Sequence, residues 1–150
     1  MRIALGSDHA GYKLKEEIGE MLRSEHREFK DFGAYSDACV DYPDAAHEVA
    51  RGIVSGEFDC GILVCGTGVG MSMAANKVPG IRAALCSNEY SARLSREHND
   101  ANVLTLGGRT IGPELAKEIV RIWLEAKFDP QSRHRRRVAK LERKMSGGQG

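Results

Sequence analysis

The sequence predicts an α/β domain with a five-stranded parallel sheet covered by helices on both faces. Three observations carry this. Short apolar runs alternate with amphipathic segments as βαβαβαβαβα, and a chain of 150 residues fits one domain, spanning 1–150 with a basic helical tail over 130–150. In the third observation, Cys60 to Asn76 reads as a buried strand, a glycine turn and the opening of a helix, the unit from which parallel sheets are made.

The elements follow in order. Arg2 to Gly6 is an apolar strand, and Ser7 to Gly11 is the loop after it. Lys13 to Ser24 carries Leu14, Ile18, Met21 and Leu22 at helical spacing. Arg27 to Phe32 is a more polar strand ended by Gly33, and a loop runs from Ala34 to Pro43. Pro43 fits the first turn of a helix reaching Ser55, with Asp44 favourable near its start. Residues 60–65 form the third strand, Gly66 to Gly70 the turn, and Met71 to Lys77 a short helix that stops before Val78-Pro79-Gly80. Ile81 to Cys86 is the fourth strand, and Ser87 or Asn88 caps a helix to Glu97. After the polar loop 98–102 come the strand Val103 to Leu106, the turn Gly107-Gly108-Arg109, and a helix opened by Gly112-Pro113 with Leu115, Ile119, Ile122 and Trp123. In the tail, Val138, Leu141 and Met145 repeat at i, i+3, i+7, which reads as an amphipathic helix packed on a partner subunit.

Composition excludes several classes. With 22 basic and 21 acidic residues the formal charge is +1, so the average surface is neither a nucleic-acid cradle nor an acidic tail. No apolar run approaches the roughly 20 residues of a membrane span. Cys60 and Cys65 bound one strand too long for their thiols to bridge, and reduced cysteines fit a soluble cytoplasmic protein. The glycines at 6 and 11 form no dinucleotide fingerprint. Cys60 and Cys65 with His47 or His98 match no compact zinc pattern, so a four-ligand structural zinc site is not expected.

The candidate chemistry lies where strands end. Asp8, His9, Cys65, Thr67 and the Gly107-Gly108 turn all follow strands and so share one sheet edge. Cys65 stands before the unpaired amides of a helix start, whose positive end favours an anion. Three uses stay open for it: nucleophile, base toward a carbon acid with the glycine-turn amides holding the oxyanion, or a small buried hydrophobe. His98 follows a helix, which places it toward the opposite edge; sharing a pocket with Cys65 would require a neighbouring subunit or a long loop. Arg133 and Arg137 share a helical face and can grip a phosphate bidentately, with His9 as a further donor. A solvated basic surface or a nucleic-acid patch are the other readings of that run. Cys39, Cys60 and Cys86 lack an adjacent glycine nest and read as structural, and Asp100 and Arg109 as loop anchors or interface residues.

The segments Gly6 to Gly11 (GSDHAG), Asp41-Tyr42-Pro43, Gly61 to Lys77 (GILVCGTGVGMSMAANK), Gly80 to Ala83 (GIRA), Ser95 to Val103 (SREHNDANV) and Arg133 to Arg137 (RHRRR) together resemble the ribose-5-phosphate isomerase B family, which also includes the galactose-6-phosphate isomerase subunits. The resemblance implies a Rossmann-like three-layer α/β/α fold and a cofactor-independent aldose–ketose isomerase. Its expected partners are a small phosphorylated sugar, ribose 5-phosphate or ribulose 5-phosphate, and a second copy of the chain, as a homodimer with active sites at the interface or a tetramer of such dimers. It implies catalytic roles for Cys65 as base, His98 in ring opening and Thr67 in ring opening or proton movement between oxygens. It further implies substrate binding by Asp8 and Asn99 near the sugar oxygens, by Gly66, Gly68, Val69 and Gly70 as an anion hole, and by His9, Arg133 and Arg137 at the phosphate. Some members of that family use a glutamate base farther along the next helix; here that region reads Met73-Ala74-Ala75, which fits the cysteine version. Allose 6-phosphate, galactose 6-phosphate and a tetrose phosphate are alternative substrates, and a non-catalytic sugar-phosphate-binding protein is the alternative class.

Overall fold

The structure, a computed structural model, describes residues 1–143. Its elements are β1 (Ile3–Ser7), α1 (Tyr12–Ser24), β2 (Phe29–Asp31), α2 (Tyr42–Val54), β3 (Cys60–Cys65), α3 (Val69–Asn76), β4 (Ala83–Leu85), α4 (Glu89–Glu97), β5 (Val103–Gly107), α5 (Pro113–Glu125) and α6 (His134–Leu141). The strands form one five-stranded sheet in the order β2-β1-β3-β5-β4, every pair parallel. No helix of the described residues is long and apolar enough to cross a membrane.

The two faces of the sheet separate by alternation along each strand. Ile62, Val64, Leu104 and Leu106 pack with Ile18 and Leu22 of α1, Ala92 of α4 and Ile119 and Trp123 of α5. On the other face, Leu63, Cys65 and Val103 pack with Val49 of α2 and with Met71 and Ala75 of α3. This is a three-layer α/β/α sandwich, and each large side chain fully removed from water contributes about 1.5–3 kcal/mol. Trp123 is wholly buried, its Nε1–H donating to Ser95 Oγ at 3.1 Å, which settles it as a core residue.

The helices after β1 and β3 leave toward opposite faces, α1 to one and α3 to the other, so a crevice opens between the C-terminal ends of these neighbouring strands. Register places Ser7 beside Val64 and Cys65 beside Gly107, bringing the loops that follow all three strands together. Gly11 has to be glycine here, because a Cβ would fall 2.2 Å from the Val64 carbonyl oxygen.

Several boundaries differ from the sequence reading, each for a local reason. Helix α3 begins at Val69, because the turn already ends at Gly68, whose φ of +79° makes it the left-handed N-cap. Strand β2 starts only at Phe29, since the Arg27 amide returns to the Leu22 carbonyl (2.9 Å) and closes the end of α1. Strand β4 starts at Ala83, since the Arg82 amide donates to the side chain of Asn102 (2.8 Å). Helix α6 spans only His134–Leu141 and buries no residue; Met145, the last member of the expected apolar stripe, lies outside the described residues. Asn88 proves to be the cap of α4, its Oδ1 accepting the Ser91 amide hydrogen at 2.8 Å.

Candidate active site

At the C-terminal edge of the sheet, Cys65 ends β3 with 5% of its surface exposed. The Gly68 amide donates to Cys65 Sγ at 3.1 Å, so the sulfur is aimed at the start of α3. Thr67 is exposed, and its Oγ1 accepts the Val69 amide hydrogen at 3.3 Å. The next two amides of α3, on Gly70 and Met71, have no hydrogen-bond partner among the described residues, as expected of a helix's first turn. The turn through Gly66, Gly68, Val69 and Gly70 thus sets one amide donor on the thiol and leaves the unpartnered amide of Gly70, with that of Met71, at the helix start beside it. A Cβ on Gly68 would fall 2.5 Å from Leu85 Cδ1 and 2.9 Å from the Leu106 carbonyl carbon, so the turn admits no side chain there.

Asp8 and His9 complete this side. Asp8 is 6% exposed and its Oδ1 accepts the Gly11 amide hydrogen at 2.9 Å, capping the approach to α1 and leaving Oδ2 for a ligand. The His9 Nδ1 lies 3.2 Å from the Val40 carbonyl oxygen and 3.3 Å from its amide nitrogen, which ties the ring to the loop before α2 and leaves Nε2 facing away from that contact.

Two residues outside the expected site stand here, Arg109, read from the sequence as a loop anchor or interface residue, and Tyr42, read only as part of the Asp41-Tyr42-Pro43 segment. Tyr42 opens α2 with its ring against Gly70, where a Cβ would come within 2.9 Å of Cε2 and Cζ. Arg109 lays its side chain along Gly66, with Cδ and Nη1 each 3.6 Å from where a Cβ would sit. The Arg109 amide donates to the Gly66 carbonyl at 2.9 Å and the Gly108 amide to the Cys65 carbonyl at 2.7 Å, stitching the β5 turn to the β3 turn. Arg109 had a signal in the sequence, since it follows a glycine pair at a strand end. Tyr42 had only its place in the Asp41-Tyr42-Pro43 segment, because its position against Gly70 depends on how α2 packs against α3.

His98, Asn99, Arg133 and Arg137 are not in this cluster. His98 is the C-cap of α4, and Asn99 follows it shortly before the N-terminal end of β5. β3 has six residues, so the two edges of the sheet lie roughly 17 Å apart. Helix α6 sits at that second edge: the His98 and His134 rings stack with centroids 4.0 Å apart, and Arg82 binds Glu142 just past its end. Arg133 is the N-cap of α6 and Arg137 lies one turn on, both exposed. Among the charges gathered here, His134 is pushed below the ordinary imidazole value, first by its loss of water and then by His98, Arg133 and Arg137. A cavity of 490 Å³ opens at this edge, lined in part by Arg82, Asn99, Leu141 and Glu142.

The four cysteines are free thiols, with Cys39 exposed and the other three buried. Burial pushes the Cys60 thiol up to about 11 and the Cys86 thiol up as well, which suits neither to act as a base near neutral pH. Among the described residues no group of three or more His, Cys, Asp or Glu side chains is placed to hold a metal ion.

Comparison with known proteins agrees with this architecture. The chain is 53% identical over 137 residues to ribose-5-phosphate isomerase B of Escherichia coli, covering 91% of each chain. It is 46% identical over 131 residues to D-erythrulose-4-phosphate isomerase of Pectobacterium atrosepticum, covering 86% of each. The solved structure of ribose-5-phosphate isomerase B from Clostridium thermocellum superposes with a TM-score of 0.92 at 55% identity, covering 95% of both chains. The family described as Ribose/Galactose Isomerase matches residues 3–141, and with these relatives at such identity and coverage the chain belongs to that family.

Proposed function

We propose that the chain interconverts ribose 5-phosphate and ribulose 5-phosphate, with Cys65 as the base that removes the C2 proton. The observation that carries this reading is the Gly68 N–H donating to the Cys65 sulfur at the start of α3, next to the unpartnered amides of Gly70 and Met71. A base and an anion hole side by side suit a proton abstraction that builds charge on oxygen. The isomerisation moves protons within one sugar and leaves its overall oxidation state unchanged, so it requires no redox cofactor.

The proposed sequence of steps uses both halves of the site. Arg133 and Arg137, with His9, hold the phosphate and orient the sugar by binding energy remote from the reacting carbons. His98 moves a proton between the ring oxygen and the C1 hydroxyl to open the furanose, with Thr67, Asn99 and Asp8 on the sugar oxygens. The Cys65 thiolate takes the C2 proton, the amides of the Gly66–Gly70 turn hold the enediolate, and the proton returns to C1.

One chain keeps these halves at opposite edges of its sheet, so the working unit is proposed to be a homodimer in which each site joins one protomer's Cys65 edge to its partner's His98 edge. An apolar strip beside Cys65 supports this: Val69, Met73 and Leu85 are 41%, 64% and 41% exposed on α3 and β4. A partner packed against α6 would also account for a helix that buries nothing of its own. A tetramer of such dimers and a cytoplasmic location, which the free thiols favour, complete the proposal.

A tetrose phosphate, allose 6-phosphate or galactose 6-phosphate is the competing substrate, and the relative named for D-erythrulose 4-phosphate gives the tetrose weight. Parallel kcat/KM values on the four aldose phosphates rank them. For the reaction itself, Cys65→Ala is expected to abolish exchange of the C2 proton with solvent while sugar-phosphate binding is retained; exchange at the parental rate would remove Cys65 as the base.

A further inference from the structure

Arg82 lies just before β4, and its guanidinium reaches two segments far apart in sequence. Nε donates to the Asp100 carbonyl oxygen at 2.8 Å and Nη2 to Asp100 Oδ2 at 3.0 Å, while Nη1 donates to Glu142 Oε1 at 2.6 Å. Its own amide donates to Asn102 Oδ1 (2.8 Å), and Asn102 Nδ2 in turn donates to the Gly80 carbonyl (2.8 Å). The side chain is only 17% exposed, so these charged contacts are partly shielded from water.

Each segment depends on this clamp. Asp100 has φ +48°, a left-handed conformation that aspartate tolerates better than most residues, and its hydrogen bonds to Arg82 add to that preference in holding the turn that carries His98 and Asn99. Helix α6 has eight residues and buries none of them, so no core contact fixes its position. A helix that short is marginal without anchors. Its attachments to the rest of its own chain include the His98–His134 stack and the Arg82–Glu142 pair. A planar guanidinium can serve both segments at once, where a lysine ammonium could not match the fork.

We infer that Arg82 is a positioning residue that sets the phosphate-binding arginines Arg133 and Arg137 in register with His98, by clamping Glu142 and Asp100 in one guanidinium fork. The inference rests on the roles given above to Arg133, Arg137 and His98. Arg82 acts through these groups and does not itself touch the sugar.

The test compares Glu142→Gln, Asp100→Asn and Arg82→Lys by steady-state kinetics on ribose 5-phosphate, competitive inhibition by inorganic phosphate, and thermal melting. Glu142→Gln frees only α6, so KM and the phosphate Ki should rise by about tenfold with a smaller change in kcat. Asp100→Asn should do the reverse, lowering kcat more than it raises Ki. Arg82→Lys should show both defects, and the double variant Arg82→Lys/Glu142→Gln should have a phosphate Ki no higher than Arg82→Lys alone. Unchanged Ki in folded Glu142→Gln, or additive Ki increases in the double variant, overturns the inference. If Arg82→Lys fails to fold, Glu142→Gln at an exposed site and Asp100→Asn at a half-buried one decide by the same split. Arg133→Ala serves as the reference: if it leaves the phosphate Ki at the parental value, the phosphate assignment falls and this inference with it. If Arg133→Ala raises Ki while Glu142→Gln does not, the inference about Arg82 falls alone.

Discussion

The imidazoles of His98 and His134 lie face to face, with ring centroids 4.0 Å apart and planes 14° from parallel. The contact joins the C-cap of α4 to the first residue of α6, so the proposed ring-opening histidine and the proposed phosphate helix share one seam. His134, stacked on His98 beside Arg133 and Arg137, tolerates added positive charge poorly.

That seam predicts a pH dependence. His134 is held below its ordinary value of 6.5, by desolvation first and by His98, Arg133 and Arg137 after it. The folded chain therefore binds this proton less readily than the unfolded chain, and the docking that His134 contributes is fully present above pH 6.5 and is lost as pH falls through the depressed folded value. Below that window KM for the sugar phosphate should rise. His134→Phe keeps a ring in the stack without a titrating nitrogen, so the ratio of its KM to the parental KM should fall as the medium is acidified. Dividing the two cancels the ionisation of the substrate's own phosphate, and a ratio constant from pH 8 to pH 5, on the order of one unit either side of the imidazole range, would contradict the assignment.

The thiols give a second prediction, by alkylation with iodoacetamide near pH 8. Cys60 and Cys86 are buried and pushed up, Cys60 to about 11, so both should stay unmodified while the protein is folded. Cys39 is exposed and should react without effect on turnover. Cys65 is 5% exposed but lies at the mouth of the glycine turn, so its slower modification should abolish activity and be blocked by bound sugar phosphate. Peptide mapping by mass spectrometry assigns each site; inactivation that tracks Cys39 instead of Cys65 would count against the proposed base.

Much of this was legible in the chain because it depended on local pattern. The strand 60–65 has the bounds read from the sequence, and Cys65 stands out because an apolar run ends at it and a glycine turn begins. The displacement of His98 to the far edge followed from its place after a helix rather than a strand. What escaped was tertiary. Nothing in the sequence marks Gly68 rather than Gly70 as the residue at which the turn ends, since either glycine accepts a positive φ, and the choice is made by the fit against Leu85 and Leu106. Tyr42 reads as part of the loop that ends at Pro43, and only the packing of α2 on α3 brings its ring to Gly70. The bounds of α6 were not legible either: the 138, 141, 145 spacing marks an apolar stripe for a partner subunit, and within one chain Leu141 is 64% exposed while the anchors to the rest of the chain are polar.

The separation of the two half-sites yields the third prediction. If each active site takes Cys65 from one protomer and His98 from the other, Cys65→Ala and His98→Ala are each inactive alone but complement when mixed. In a mixed dimer one site has lost both groups and the other has lost neither. Random reassortment of equal amounts makes half the dimers mixed, so mixing after unfolding and refolding together should restore about a quarter of the parental rate. A site built within one chain would restore none of it. Introducing a charge on the exposed strip by Met73→Glu, at a residue 64% exposed in the single chain, should halve the mass in sedimentation and remove activity together. Full activity in a sedimenting monomer would mean that one chain closes the roughly 17 Å between its two edges by itself, which the parallel register from Cys60 to Cys65 opposes.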